Sequence, residues 1–311
     1  MMTCRPIPTT TTAAMTQNTR KDPRKPRTRR KCRLFVILAR DAPVGVIFRR
    51  DPANWTQVIR WNTATDTFDA GQWFKGRIYE RRCDLSPSGE KLIYFAAKHH
   101  LGNADPLYTN TWTAISKVPY LTALALWPNG GTTYHGGGLF ASESEICLNS
   151  VQYRWSNPAR DLPAQPHAKH VPPPEVQMVP ICFTSGDQLL PLRMVRDGWR
   201  LMTPGDVQED GAVTRGRLVR PSKNQRFRLQ LEFDYQEMKH SLIDVMAERP
   251  ERGVLDDATW ADWDHHGRLV FARDGKLFRI CLDPPSEIQM IADFNDRHPN
   301  RLTAPAWACK W

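Results

Sequence analysis

Leu34-Phe35-Val36-Ile37-Leu38 is an unbroken apolar run closed by Ala39, Arg40 and Asp41, and a second apolar stretch, Val44 to Phe48, follows at once. Short runs rich in Val, Ile and Phe on either side of a polar turn predict two buried strands. The same pattern returns near the other end of the chain. At a constant offset of 233, Ala39-Arg40-Asp41 falls on Ala272-Arg273-Asp274, Ile47 on Ile280 and Asn62 on Asn295. Val36, Ile37 and Leu38 fall on Leu269, Val270 and Phe271, while Val44, Val58 and Trp61 fall on Leu277, Ile291 and Phe294. An ungapped repeat this far apart predicts a ring or stack of similar β units, each burying its faces on its neighbours.

Further copies lie between the two ends. Leu139 to Leu148 repeats the strand-turn-strand pattern, Leu192 to Leu201 repeats its turn as Arg196-Asp197-Gly198, and Leu92 to Ala97 repeats its first strand. Several copies are preceded by a turn ending in glycine: Ser86-Pro87-Ser88-Gly89 before Leu92, and Asp264-His265-His266-Gly267 before Leu269. Glycine supplies the positive φ that a tight hairpin requires. On these turns the chain resembles the blades of TolB-type and related WD-repeat-like β-propellers of bacteria. The resemblance extends as a pattern over most of residues 34–311. It implies an all-β fold, a β-propeller of five blades, with six if Arg226 to Phe233 seeds another sheet. The C-terminal Ala304-Pro305-Ala306-Trp307 reads as the opening of a blade, and the N-terminal unit lacks such an opening. The ring is therefore expected to close by pairing of Ala304–Trp311 beside Leu34–Ala39, which would remove exposed sheet edges.

Two segments depart from the pattern. Asn157 to Val179 contains Pro172-Pro173-Pro174 and is expected to run extended on the surface. Gln236 to Arg249 carries Met238, Leu242, Val245 and Met246 at helical spacing and predicts a short amphipathic helix.

Composition supports the β reading and changes the meaning of the charge. The 311 residues are 41% hydrophobic, enough for a sizeable core, with 11 Trp and 25 Pro. The net charge of +10 is concentrated at one end, because residues 1–33 hold ten Lys or Arg against the single acid Asp22. A basic tail on a near-neutral body is not a basic binding face. The Thr-rich, Pro-interrupted tail has too little apolar surface to offset its ordering entropy, so residues 1–33 are expected to be disordered and residues 34–311 to form the folded domain. Arg24, Lys25, Arg27, Arg29, Arg30 and Lys31 are its candidates for weak, salt-dependent contact with nucleic acid or an anionic surface.

Seven cysteines stand singly, with no CxxC. That pattern argues against a disulfide framework or a zinc ribbon. The apolar run after Arg29-Arg30 is shorter than an export signal needs, and no stretch approaches a membrane span. A soluble cytoplasmic monomer is the expectation.

Motifs of known catalytic mechanics do not occur: there is no G-x-S-x-G, no P-loop, no G-x-G-x-x-G after a strand and no H-E-x-x-H. Gly136-Gly137-Gly138 precedes a strand rather than a helix and reads as a close strand approach. The adjacent pairs His99-His100 and His265-His266 point to opposite faces of a strand, so neither is a two-ligand site, and His167 and His170 lack acidic or Cys neighbours. No catalytic residue, cofactor or metal is assigned. The primary reading is a non-catalytic interaction module for a protein partner, with tryptophans wedged between blades or, if exposed on one face, anchoring that partner. One alternative is a five-bladed glycoside-active enzyme or carbohydrate binder with acids in a central channel, for which Asp84, Glu143, Asp262 and Asp264 are the candidates. The other is anionic-polymer binding through the tail.

Overall fold

The structure is a computed structural model that describes residues 31–51, 53–98, 110–129, 133–149, 173, 177–180, 188–204, 215–234, 236–282, 284 and 286–311. Its described residues form five β-sheets in chain order. The first contains β1 (Arg33–Leu38), β2 (Val44–Arg50), β3 (Trp55–Asn62) and β4 (Thr67–Lys75), each antiparallel to the next. The second contains β5 (Arg77–Ile78), β6 (Asp84–Leu85), β7 (Lys91–Ala97), β8 (Thr111–Lys117) and β9 (Ala123–Pro128), with β5 and β6 both paired to β7. The third contains β10 (Gly138–Phe140), β11 (Glu145–Leu148) and β12 (Gln177–Pro180), and the β11–β12 pair is parallel.

Helix α1 (Leu189–Arg196) then precedes the fourth sheet. That sheet contains β13 (Arg200–Pro204), β14 (Gly216–Pro221), β15 (Phe227–Phe233), β16 (Met238–Asp244) and β17 (Arg249–Pro250). The fifth contains β18 (Trp260–Trp263), β19 (Leu269–Arg273), β20 (Lys276–Ile280) and β21 (Gln289–Asp293).

In the fifth sheet burial falls from the first strand to the last. All four residues of β18 are buried, whereas none of β21 is. The first sheet repeats the gradient, from the apolar interior of β1 to the mostly polar surface of β4. A strand that is apolar throughout, rather than alternating, is one covered on both faces. One apolar core runs through the first, second, fourth and fifth sheets and α1, including Trp61, Phe95's neighbour Tyr94, Trp199, Leu229 and Phe271. A second cluster, with Ile93, Trp127, Phe140 and Ile146, lies between the second and third sheets.

The first and last sheets meet through contacts more than 200 residues apart in sequence. Arg49, almost fully buried, donates to the carbonyls of Phe294 (3.0 Å) and Asn295 (3.2 Å). Thr259 donates its hydroxyl to Leu34 O at 3.0 Å, and Phe68 packs edge-on to Phe294. Asp66 accepts from Arg268 at 2.9 and 3.1 Å and from Arg279.

The structure corrects four expectations. Ala304–Trp311 is not a strand beside β1: Ala306–Cys309 is a 3-10 turn that follows Pro305, and β1 pairs with β2 alone among the described strands. Pro305 offers no backbone donor to a ladder. Trp307 instead packs on Tyr120, and the Trp311 indole donates to Leu124 O at 3.3 Å, so this end lies on the second sheet. Gln236–Arg249 is a strand, a turn and a short strand rather than a helix, with His240 and Leu242 turned inward at strand spacing. Leu192–Leu201 is not a strand-turn-strand copy, since Leu189–Arg196 is helical and Gly198, at φ +93°, ends it. Arg226–Phe233 seeds no sheet of its own, because β15 is the middle strand of the fourth. Of the Pro-rich segment, residues 157–172 and 174–176 lie outside the described residues.

Candidate functional site

Each of the four acids singled out in the sequence is matched with a cation: Asp84 with Arg196, Glu143 with Lys91, Asp262 with Arg220 and Asp264 with Arg268. Asp84 on β6 is fully buried. Arg196, at the last turn of α1, donates to both its oxygens, at 2.6 and 2.9 Å. The Phe140 amide donates to Asp84 Oδ2 at 2.7 Å, and the Phe140 carbonyl accepts from Arg196 (2.9 Å) and Arg40 (3.0 Å). A single residue on β10 thus ties the first, second and third sheets to α1.

Asp197 also accepts from Arg196, at 2.8 and 3.2 Å. Burial opposes the charge of Arg196, but the hydrogen bonds and charges of Asp84 and Asp197 outweigh it and hold its pKa above the ordinary value. Burial pushes the Asp197 carboxyl up against the pull of Arg196.

The fifth sheet repeats the arrangement. Asp262 on β18 accepts from Arg220 at 2.6 Å and from the Trp263 amide at 2.8 Å. The Asp262 charge raises the pKa of Arg220 over the opposing effect of burial. Asp264 accepts from Arg268 Nε at 2.6 Å and from the amides of His266 and Arg268. Glu143 lies apart, on the turn before β11. Burial raises its pKa, but the Ser88 backbone and hydroxyl and Lys91 outweigh that and hold it below the usual carboxylate range. The four acids singled out in the sequence are therefore in four separate settings, and no two form an unpaired couple.

A cavity of about 350 Å³ opens beside this network. Its wall includes β1 from Phe35 to Leu38 with Ala39 and Arg40 of the turn that follows, Arg193 and Met194 of α1, Trp260 and Trp263, and His240. Arg193 is buried, donates to the Cys83 carbonyl and lies 5.6 Å from the centre of the Phe35 ring. Burial lowers its pKa. Burial likewise pushes the His240 imidazole down to about 4, and the nearby Ala258 backbone opposes the shift without forming a hydrogen bond to either ring nitrogen. A second cavity, of about 280 Å³, shares Phe35 and Met238 as wall with the first and opens toward the start of β1.

Other candidates from the sequence are accounted for individually. Gly136 and Gly137 are points of close approach: a Cβ would meet the Phe95 ring at 2.2 Å and Arg82 O at 2.3 Å, and both φ angles are positive. His266 serves a turn through its amide. His99, His100, His167, His170 and Trp155 lie outside the described residues. Of the ten described tryptophans only Trp307 is exposed, so they act as packing and do not rim one face. Burial raises the Cys83 thiol to about 12, far from a reactive thiolate. Lys31 pairs with Asp274 at 2.6 Å on the surface, and Arg24, Lys25, Arg27, Arg29 and Arg30 lie outside the described residues.

The matching arginines had no sequence signal, apart from Arg196 in its Arg-Asp-Gly turn. A carboxylate's partner is chosen by the fold, across as many as 112 residues for Asp84.

No family model and no curated protein matches the chain. Among solved structures it is similar to an uncharacterized protein from Listeria monocytogenes EGD-e at 10% identity and a TM-score of 0.31, covering 87% of this chain and 85% of that one. It is similar to the β-propeller domain of the Trilobed protease from Pyrococcus furiosus at 9% identity and a TM-score of 0.26, covering 84% and 83%. A prolyl endopeptidase matches at 13% identity and a TM-score of 0.21, and the chain spans only 27% of that protein's length. Among the described residues no helix is long and apolar enough to cross a membrane.

Proposed function

We propose that the five sheets are the blades of a five-bladed β-propeller, and that the chain is a non-catalytic module that binds a protein partner. Consecutive packing supports the ring. The first sheet touches the second through Asp41 N and Pro87 O, and the second touches the third through Asp84 and Phe140. Helix α1 bridges the third and fourth, and Trp263 Nε1 donates to Arg220 O between the fifth and fourth. Arg49, Asp66 and Thr259 link the fifth back to the first. In this reading the ring closes by face-to-face packing of whole blades, without a shared strand.

The observation that carries the non-catalytic reading is the pairing of Asp84, Asp262 and Asp264 each with an arginine: Asp84 with Arg196, Asp262 with Arg220, Asp264 with Arg268. Glycoside hydrolysis needs one carboxyl group kept protonated and a second free to attack or to activate water. A carboxylate gripped at both oxygens, as Asp84 is by Arg196, or held by a short guanidinium bond, as Asp262 and Asp264 are, is suited instead to holding blades in place.

The test compares Asp84→Asn and Asp262→Asn with wild type. Asp84→Asn removes the carboxylate that accepts from both Arg196 Nη groups and leaves that guanidinium Asp197 as its only ion-pair partner among the described residues, so it should cost about 3 kcal/mol or more in chemical denaturation. Wild type should hydrolyse none of a panel of nitrophenyl glycosides. A catalytic acid is commonly held at the expense of stability, so an Asp84→Asn protein that melts above wild type, or glycoside turnover that disappears with it, contradicts the reading.

A further inference from the structure

The 280 Å³ recess at the start of β1 is lined by Arg33, Arg50, Arg77, Arg81 and Arg82, with Glu80 its sole acid. Two of the five arginines are engaged by the fold. Arg81 donates to the carbonyls of Asp234 and Gln236, and Arg82 to those of Thr133 and His135. The other three have no ion pair among the described residues.

Their placement is unfavourable for an empty recess. Arg33 and Arg50 are direct cross-strand partners in the β1–β2 register, where like charges repel. Arg77 stacks on Tyr79, 5.2 Å from the ring centre, with Arg82 5.3 Å from the same ring, and its Nε is buried without a hydrogen-bond partner. Buried guanidinium donors are rarely left unmade, because the desolvation penalty is then unrecovered. An anion in the recess would satisfy Arg77 and screen the Arg33–Arg50 repulsion together.

We propose that this recess binds the phosphate group of a small phosphorylated molecule. A single carboxylate would leave most of the arginine excess uncompensated, whereas a phosphate dianion presents oxygens on several sides to the planar guanidinium forks. The recess is too small for a duplex or a bilayer surface. It is defined by its own lining residues, whatever the blade count or the partner of the module.

The experiment is isothermal titration of the full chain with inorganic phosphate at constant ionic strength set by chloride. Arg50→Gln should weaken binding about tenfold, the loss of one charge-assisted contact, and Arg33→Gln with Arg50→Gln should abolish it. A chain with Arg24, Lys25, Arg27, Arg29 and Arg30 all changed to Gln should bind within about twofold of wild type, because the tail is not the seat. Without phosphate, Arg50→Gln should melt at or above wild type, since a like-charge pair has been removed. Four results would each overturn the proposal: no phosphate binding by wild type, unchanged affinity in the double variant, binding of phosphatidic-acid vesicles without binding of phosphate, or a lowered melting temperature of unliganded Arg50→Gln.

Discussion

His240 is a buried histidine whose ring nitrogens have no hydrogen-bond partner. Its imidazole is buried between β16 and the cavity wall, and burial takes its pKa from the ordinary 6.5 to about 4. The unfolded chain therefore takes up the proton first as the pH falls, and the native state loses stability between about pH 6.5 and pH 4. The full loss is on the order of 3 kcal/mol. His240→Leu fills the site with an apolar side chain that needs no partner. Urea unfolding from pH 7 to pH 4 should show the acid limb shallower in His240→Leu than in wild type. An identical limb would assign the acid sensitivity to other groups. Nothing in the sequence marks this histidine, because its burial depends on β16 being a strand.

At the scale of elements, the spacing of apolar residues is informative only where two periodicities can be told apart. Met238 and Leu242 are four apart, which fits one face of a helix and one face of a strand equally, and Val245 and Met246 tip the local pattern toward a helix. The alternation Met238-His240-Leu242 together with pairing to β15 decides for a strand, and Met246 is left 86% exposed in the following turn. The opposite error occurs at Leu192–Leu201. Pro191 would break a strand ladder but is harmless in the first turn of α1, where its missing N–H has no intrahelical partner to lose.

The C-terminal segment is the third such case, and it changes an expected outcome. Trp307 is 54% exposed and closes no sheet. Trp307→Ala should therefore cost less than about 1 kcal/mol, against the several expected of a core tryptophan. A thermal melt shows which holds. A loss of 3 kcal/mol or more would restore a closing role to this end.

At the scale of the molecule, the repeat at an offset of 233 was legible because strand order and turn chemistry are local. It aligns β1, β2 and β3 with β19, β20 and β21. The contacts between the first and fifth sheets were not legible. They are made by Arg49, Asp66 and Arg268, polar residues whose partners lie more than 200 positions away and whose value depends on the docking of whole sheets. The candidate site divides in the same way. The sequence supplies Asp84, Asp262 and Asp264, but the arginines that occupy them, and the arginine-lined recess, exist only once the sheets are assembled.

The central claim is that the first and fifth sheets pack directly on one another, and the Asp66–Arg268 pair spans that interface at 2.9 Å. A double-mutant cycle with Asp66→Ala and Arg268→Ala, measured by chemical denaturation, reports their coupling free of what each does alone. The account predicts a favourable coupling of about 1–3 kcal/mol. Additivity within about 0.3 kcal/mol would place the two residues apart and contradict direct packing of the first sheet on the fifth.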